Sequence, residues 1–217
     1  MTVVLLAVTG AVALGDWFAV QRHLFRLEYL LKPLTMVALI AAAATADLPV
    51  IKVWMVAALA FGLLGDVGLM LSDKSATKPD LPFMLGLGSF LVGHICYLAA
   101  FARYGIHGKA LIAGCLVVGG AALLVLPKVL AGAVRAGGRE LAAVVALYAA
   151  ALSGMAILAI GTTAVATAVG GLLFLGSDML IALERFVVRI RAGSLLVIVT
   201  YHAAQVLILV GLVNSFS

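Results

Sequence analysis

The sequence predicts an all-α membrane protein: a bundle of eight transmembrane helices with both termini on the non-cytoplasmic side, forming one integral domain over residues 1–217. Three observations lead there. Of the 217 residues, 65% are hydrophobic and 11% charged, with a mean hydropathy of +1.27. A soluble domain is about half apolar and about a quarter charged. The apolar residues fall in runs of about 20, the length that crosses a bilayer. The few basic residues sit between those runs and segregate to one side. This composition excludes a soluble globule, a disordered chain, a coiled coil and a disulfide scaffold. The net charge of +5 is no nucleic-acid footprint, because the basic residues alternate with spans too apolar to build such a surface. It fits loops facing anionic membrane lipids. Cys96 and Cys115 lie in apolar stretches and read as buried thiols.

The first span, 3–20, lacks a basic leader, and no small-residue cleavage pattern precedes Asp16 and Trp17, so it reads as a helix rather than a signal peptide. The second, 31–46, opens with Lys32-Pro33, and the third, 50–71, carries Gly65-Asp66 near its end. The fourth, 82–102, holds Gly93-His94 and Tyr97, and the fifth is 110–127. From Leu141 to Ser177 there is no charged residue, which is too long for one crossing. Gly161-Thr162-Thr163 is the natural turn, giving spans 141–160 with Tyr148 and 163–183 with Ser177-Asp178. The eighth, 194–214, carries Tyr201, His202 and Gln205.

The loops support this count. With eight helices, one side receives Arg22, Arg26, Lys32, Lys74, Lys78, Lys128, Arg135, Arg139, Arg185, Arg189 and Arg191, and the other only Lys52, Arg103 and Lys109. The positive-inside rule puts the richer side in the cytoplasm. Trp17 and Tyr29 near that face, with Trp54 and Tyr104 near the other, suit interfacial aromatic belts.

Polar residues inside the spans mark the candidate site. An ionised Asp near a helix centre costs about 2.5–3.5 kcal/mol, so Asp16, Asp66 and Asp178 stand out. Each lies on a helix running toward the cytoplasm, about four to six residues before its end, so all three share one depth. Helices starting from that face contribute Lys32, His94, Tyr97, Tyr148, His202 and Gln205, and the spacings His94/Tyr97, Tyr201/Gln205 and His202/Gln205 put each pair on one helix face. Some of these residues have a second reading. Asp16 also reads as a solvated helix-end acid, Lys32 as a snorkelling lysine, and Ser177 as a hydroxyl bonded back to its own helix. The glycines before Asp66 and Asp178 let helices approach closely around the acids.

Lys32-Pro33, Gly65-Asp66, Gly86 through Phe90, Gly93-His94 and Tyr97, Phe174 with Ser177-Asp178 and Arg185-Phe186, and Tyr201 with Gln205, in this order and spacing, resemble the YhhN-like lysoplasmalogenase family. The resemblance implies hydrolysis of the vinyl ether bond of lysoplasmalogens, releasing a fatty aldehyde and glycerophosphoethanolamine or glycerophosphocholine, with Asp66 and Asp178 as catalytic pair and neither metal nor cofactor. The first helix matches less distinctly. Vinyl ether hydrolysis needs a proton donor for the alkenyl carbon and a group that accepts a proton from water. Two carboxyls in one low-dielectric site can divide that labour, as in glycosidases. They titrate as a unit, which leaves donor and base unassigned. His94, Tyr148, Tyr201, His202 and Gln205 would orient water or the nascent hydroxyl, with Tyr97 and Ser177 in support, while Lys32 and Arg185 would pair with the lipid phosphate. The expected partners are the lysophospholipid and membrane lipids, the expected membrane is a bacterial inner membrane, and the site faces its cytoplasmic half. The rivals are a zinc hydrolase of the ceramidase type, with His94, His202 and one Asp as ligands, a proton-coupled transporter, and a purely structural or lipid-binding protein.

Overall fold

With no water in a bilayer core to satisfy peptide groups, an apolar run must close its hydrogen bonds within itself, and each expected span does so as α-helix. The computed structural model describes residues 1–72 and 80–216, so Lys74 and Lys78 lie outside the described residues. Among the described residues there are seven helical elements and no strand: α1 (Thr2–Gln21), α2 (Phe25–Thr45), α3 (Lys52–Leu71), α4 (Leu81–Tyr104), α5 (Gly108–Gly161), α6 (Val165–Phe186) and α7 (Gly193–Phe216). All seven are long and apolar enough to cross a membrane. The chain is a multi-pass membrane protein.

Seven elements stand where eight are expected, and the difference lies in α5. This element of 54 residues joins the expected spans 110–127 and 141–160, interrupted by non-helical backbone at Gly137 (φ −156°, ψ 23°) and Gly138 (φ 73°, ψ −169°). A straight helix of that length would reach about 80 Å. Instead its ends meet: the His107 N–H donates to the Gly161 carbonyl at 2.9 Å. A Cβ on Gly114 would lie 3.0 Å from the Ile157 carbonyl oxygen. The element is therefore a hairpin of two arms, 108–136 and 139–161. Its first arm runs past Pro127 and Lys128, because helix ends that project beyond the hydrocarbon need not be apolar.

The same effect moves the start of α2 to Phe25, six residues before the apolar window at 31, leaving Pro33 inside the helix. Reversals are tight where His23, Thr163 and Ala192 adopt left-handed φ of 56°, 61° and 57°. Asp80 caps α4 by accepting from the Phe83 N–H at 3.1 Å, with Pro82 in the first turn.

Consecutive helices pack side by side, and α1 against α7 closes the ring. The main core gathers Met36, Leu39, Met55, Leu59, Phe101, Met155 and Leu209 from all parts of this ring. A smaller cluster of Val129, Ala133, Leu141 and Val145 joins the two arms of α5 near their break. Glycines set the closest approaches: a Cβ on Gly68 would lie 2.7 Å from the Gly86 Cα, and one on Gly170 would lie 2.8 Å from the Ala204 carbonyl oxygen. Cys96 is buried, but Cys115 is exposed on the first arm of α5, so the buried-thiol reading fails there. Trp54 lies under the Arg103 guanidinium at 5.3 Å. The Tyr29 hydroxyl donates to the Met70 carbonyl at 2.6 Å.

Candidate active site

Two acid centres face one another across the bundle. Asp66, on α3, is 2% exposed, and its Oδ1 pairs with Lys32 Nζ at 3.0 Å. Lys32 therefore points inward rather than snorkelling. Gly65 leaves room for the Phe90 ring, which meets Tyr201 edge-on at 5.9 Å. One turn earlier, Gly62 lets the Tyr201 hydroxyl and Gln205 Nε2 reach α3, where a Cβ would be 3.1 and 3.2 Å from them. Tyr97 donates to Gln205 Oε1 and fixes that amide. Tyr201 is within electrostatic reach of Asp66. The i, i+4 pair of α7 thus packs against α3 one turn before Asp66, with the Tyr201 hydroxyl and Gln205 Nε2 unpartnered, while Tyr97 steadies Gln205 from α4.

Asp178, on α6, forms the second centre. Tyr148 donates to its Oδ2, and His94 Nε2 lies 3.4 Å from that oxygen and 3.1 Å from the Tyr148 hydroxyl. Phe174 stands between the centres, edge-on to His94 at 4.9 Å and to Tyr201 at 5.4 Å. The two aspartates are within electrostatic reach of one another. Ser177 does not bond back to its own helix: its hydroxyl donates to the Val197 carbonyl at 3.1 Å and ties α6 to α7.

Asp16 overturns its helix-end reading. It is 0% exposed, and neither carboxylate oxygen has a hydrogen-bond partner. Its electrostatic neighbours are Lys32, Glu28 and Asp66, which places it beside the first centre. Trp17 turns into the bundle, where its indole N–H donates to His202 Nδ1 at 3.2 Å. His202 is thereby tied to α1, while His94 belongs to Asp178, so the ligand set of the rival zinc reading is not brought together. Among the described residues no three His, Cys, Asp or Glu side chains gather closely enough to hold a metal ion.

Two cavities meet at this site. An apolar one runs between α4, both arms of α5 and α6, past Val118, Leu126 and Leu152, and carries Tyr148 and Asp178 in its wall. A polar vestibule is lined by Glu28, Lys32, Glu184, Arg189 and Ser194, drawing on the connected ends of α1–α2 and α6–α7, the end of α3 and Ala136 beside the α5 break. The two share Leu69, Phe83, Ile181 and Arg185 as a common wall. Sequence reasoning missed Trp17, Phe83, Glu28, Glu184 and Arg189. Trp17 had one local signal, its place beside an intramembrane acid; the others lie where charged or aromatic residues are ordinary.

A profile of the YhhN family matches residues 27–212. Proteins named lysoplasmalogenase from Mycobacterium bovis and Mycobacterium tuberculosis are each 30% identical to the chain over 188 residues, covering 82% of this chain and 67% of theirs. No solved structure matches. The family match takes in both acid centres, with Lys32, Tyr97, His94, Tyr148, Tyr201 and Gln205, and leaves out Asp16 and Trp17. On that match, extending from the first turn of α2 into the last turn of α7, the chain belongs to the YhhN family.

Proposed function

We propose that the protein is an intramembrane lysoplasmalogenase, cleaving the vinyl ether bond of lysoplasmalogens to a fatty aldehyde and glycerophosphoethanolamine or glycerophosphocholine. One observation carries this reading: Asp178 lines an apolar cavity, and Asp66, held by Lys32, stands on the far side of the Phe174 ring that separates His94 from Tyr201. The names of the relatives point to the same reaction. The cavity receives the alkenyl chain and the vestibule the head group.

Asp178 acts as the acid. Its Oδ2 is engaged by Tyr148 and His94, which leaves Oδ1 as the atom that delivers a proton to the alkenyl carbon remote from oxygen. The oxocarbenium ion that results is attacked by water at the carbon bearing oxygen. Asp66, kept as a carboxylate by the Lys32 ammonium, takes the proton that water loses. The hemiacetal then collapses to aldehyde and alcohol: its hydroxyl proton passes to Asp178 and the proton held by Asp66 goes to the departing glycerol oxygen, which restores both acids. Tyr201, Gln205 and Tyr97 position Asp66; His94 and Tyr148 position Asp178.

The topology belongs to the same proposal. Each arm of α5 crosses the membrane, giving eight crossings in one integral domain with both termini outside the cytoplasm. The vestibule and basic connections face the cytoplasm, in a bacterial inner membrane. Purified protein in detergent, given a lysoplasmalogen, is expected to release aldehyde in the presence of EDTA. Asp66→Asn and Asp178→Asn should each lose about 10²–10⁴-fold in kcat. Full activity in both variants would defeat the assignment, and loss of turnover on chelation would favour the metal-dependent rival.

A further inference from the structure

Arg185 is the charged residue that borders both cavities among the described residues. Its guanidinium lies over the Phe83 ring, 5.0 Å from the centroid, and its Nη2 is buried without a hydrogen-bond partner. Asp66 is taken by Lys32 and Asp178 by Tyr148 and His94, while Glu28 and Glu184 share the vestibule with Arg185 without forming an ion pair to it. A buried guanidinium nitrogen without an acceptor is costly, and the planar fork that carries it matches phosphate oxygens. Lys32, the other cation expected to meet the lipid phosphate, is engaged by Asp66 and half withdrawn from the vestibule.

Position along α6 adds a second constraint. Asp178 and Arg185 are seven residues apart, so they share a helix face about 10 Å apart along the axis. In a lysoplasmalogen the vinyl ether oxygen and the phosphate occupy opposite ends of a three-carbon glycerol. Both residues line the apolar cavity, so a lipid whose alkenyl chain lies there can set its glycerol along α6 between them.

We infer that Arg185 is the phosphate subsite and acts as a ruler, admitting alkenyl ethers whose glycerol carries a phosphodiester at its far end. The inference rests on the hydrolase reading above and deepens it, because it makes phosphate, rather than the vinyl ether alone, the determinant of substrate choice.

The test compares two substrates on the full-length protein in detergent: an alkenyl-glycerophosphoethanolamine and the matching alkenylglycerol without phosphate. The wild type is expected to prefer the phosphate-bearing lipid by roughly 10- to 100-fold in kcat/KM, chiefly through KM. Arg185→Gln should erase that preference, and Arg185→Lys should restore part of it. Added inorganic phosphate separates the two sources of the same chemistry. Rescue of alkenylglycerol turnover in the wild type alone indicates a subsite that takes free phosphate, and absence of rescue indicates one that needs the tethered group. Equal wild-type kcat/KM on both substrates overturns the inference without any variant. So does an Arg185→Gln protein that loses activity on both alike while keeping the preference. A wild type that hydrolyses neither substrate refutes the hydrolase reading itself.

Discussion

Lys32 and Asp66 form a charge pair in which the acid is 2% exposed, so removing one partner strands the other in low dielectric. Breaking such a pair costs about 3–5 kcal/mol, whereas replacing both members is close to neutral. Lys32→Met should therefore lower the thermal midpoint in detergent sharply, and the double variant Lys32→Met/Asp66→Asn should recover most of it. Asp16 predicts the opposite sign. A fully buried carboxylate with neither oxygen partnered destabilises the bundle, so Asp16→Asn should raise the midpoint by the equivalent of about 1–3 kcal/mol. A drop would show that Asp16 supports Lys32 in the folded state. At this scale the sequence marks the acids well, because a charge inside an apolar run is conspicuous whatever the fold. Partnerships are another matter. Trp17 and His202 are 185 residues apart, and nothing local in either helix announces their hydrogen bond.

Helix packing depends on individual glycines, and the structure ranks them. A methyl on Gly68 would meet the backbone of Gly86 at 2.7 Å, where neither helix can yield without separating. Gly138 has φ 73° and ψ −169°, a conformation open to glycine and strained by about 1–3 kcal/mol for other residues. Gly176 has nothing within 4 Å of where a Cβ would stand. Thermal unfolding of three alanine variants should sort accordingly: Gly68→Ala and Gly138→Ala each destabilised by about 1–3 kcal/mol, and Gly176→Ala unchanged or up to about 1 kcal/mol more stable. Equal effects at all three would contradict this packing. The abundance of small residues near Asp66 and Asp178 announces close helix contacts but not which glycine makes them, since that depends on the rotation of each helix about its axis. Element ends were legible to within a few residues, except where helix continues past the apolar window, as at Phe25 and after Pro127.

For the whole molecule the decisive question is whether α5 crosses once or twice. In a Cys96→Ala/Cys115→Ala background, single cysteines at Arg22, Arg139 and Arg191 should react with a membrane-impermeant thiol reagent from one side of sealed vesicles. Cysteines at Lys52 and His107 should react from the other. Labelling of position 139 together with 52 would refute the two-armed α5 and with it the cytoplasmic placement of the vestibule. The sequence by itself determined the membrane class, the approximate spans, the segregation of basic residues and the short set of intramembrane acids. Each follows from a property read along the chain: apolar length, charge position, or the cost of a carboxylate in hydrocarbon. Only the tertiary structure decided that Asp16 is buried, that Lys32 turns inward to Asp66, and that Tyr148 and His94 converge on Asp178. It also decided that one apolar cavity carries that second acid in its wall. Those facts depend on which helices are neighbours and how each is turned toward the bundle axis, and a one-dimensional pattern with polar residues on most helices leaves that choice open.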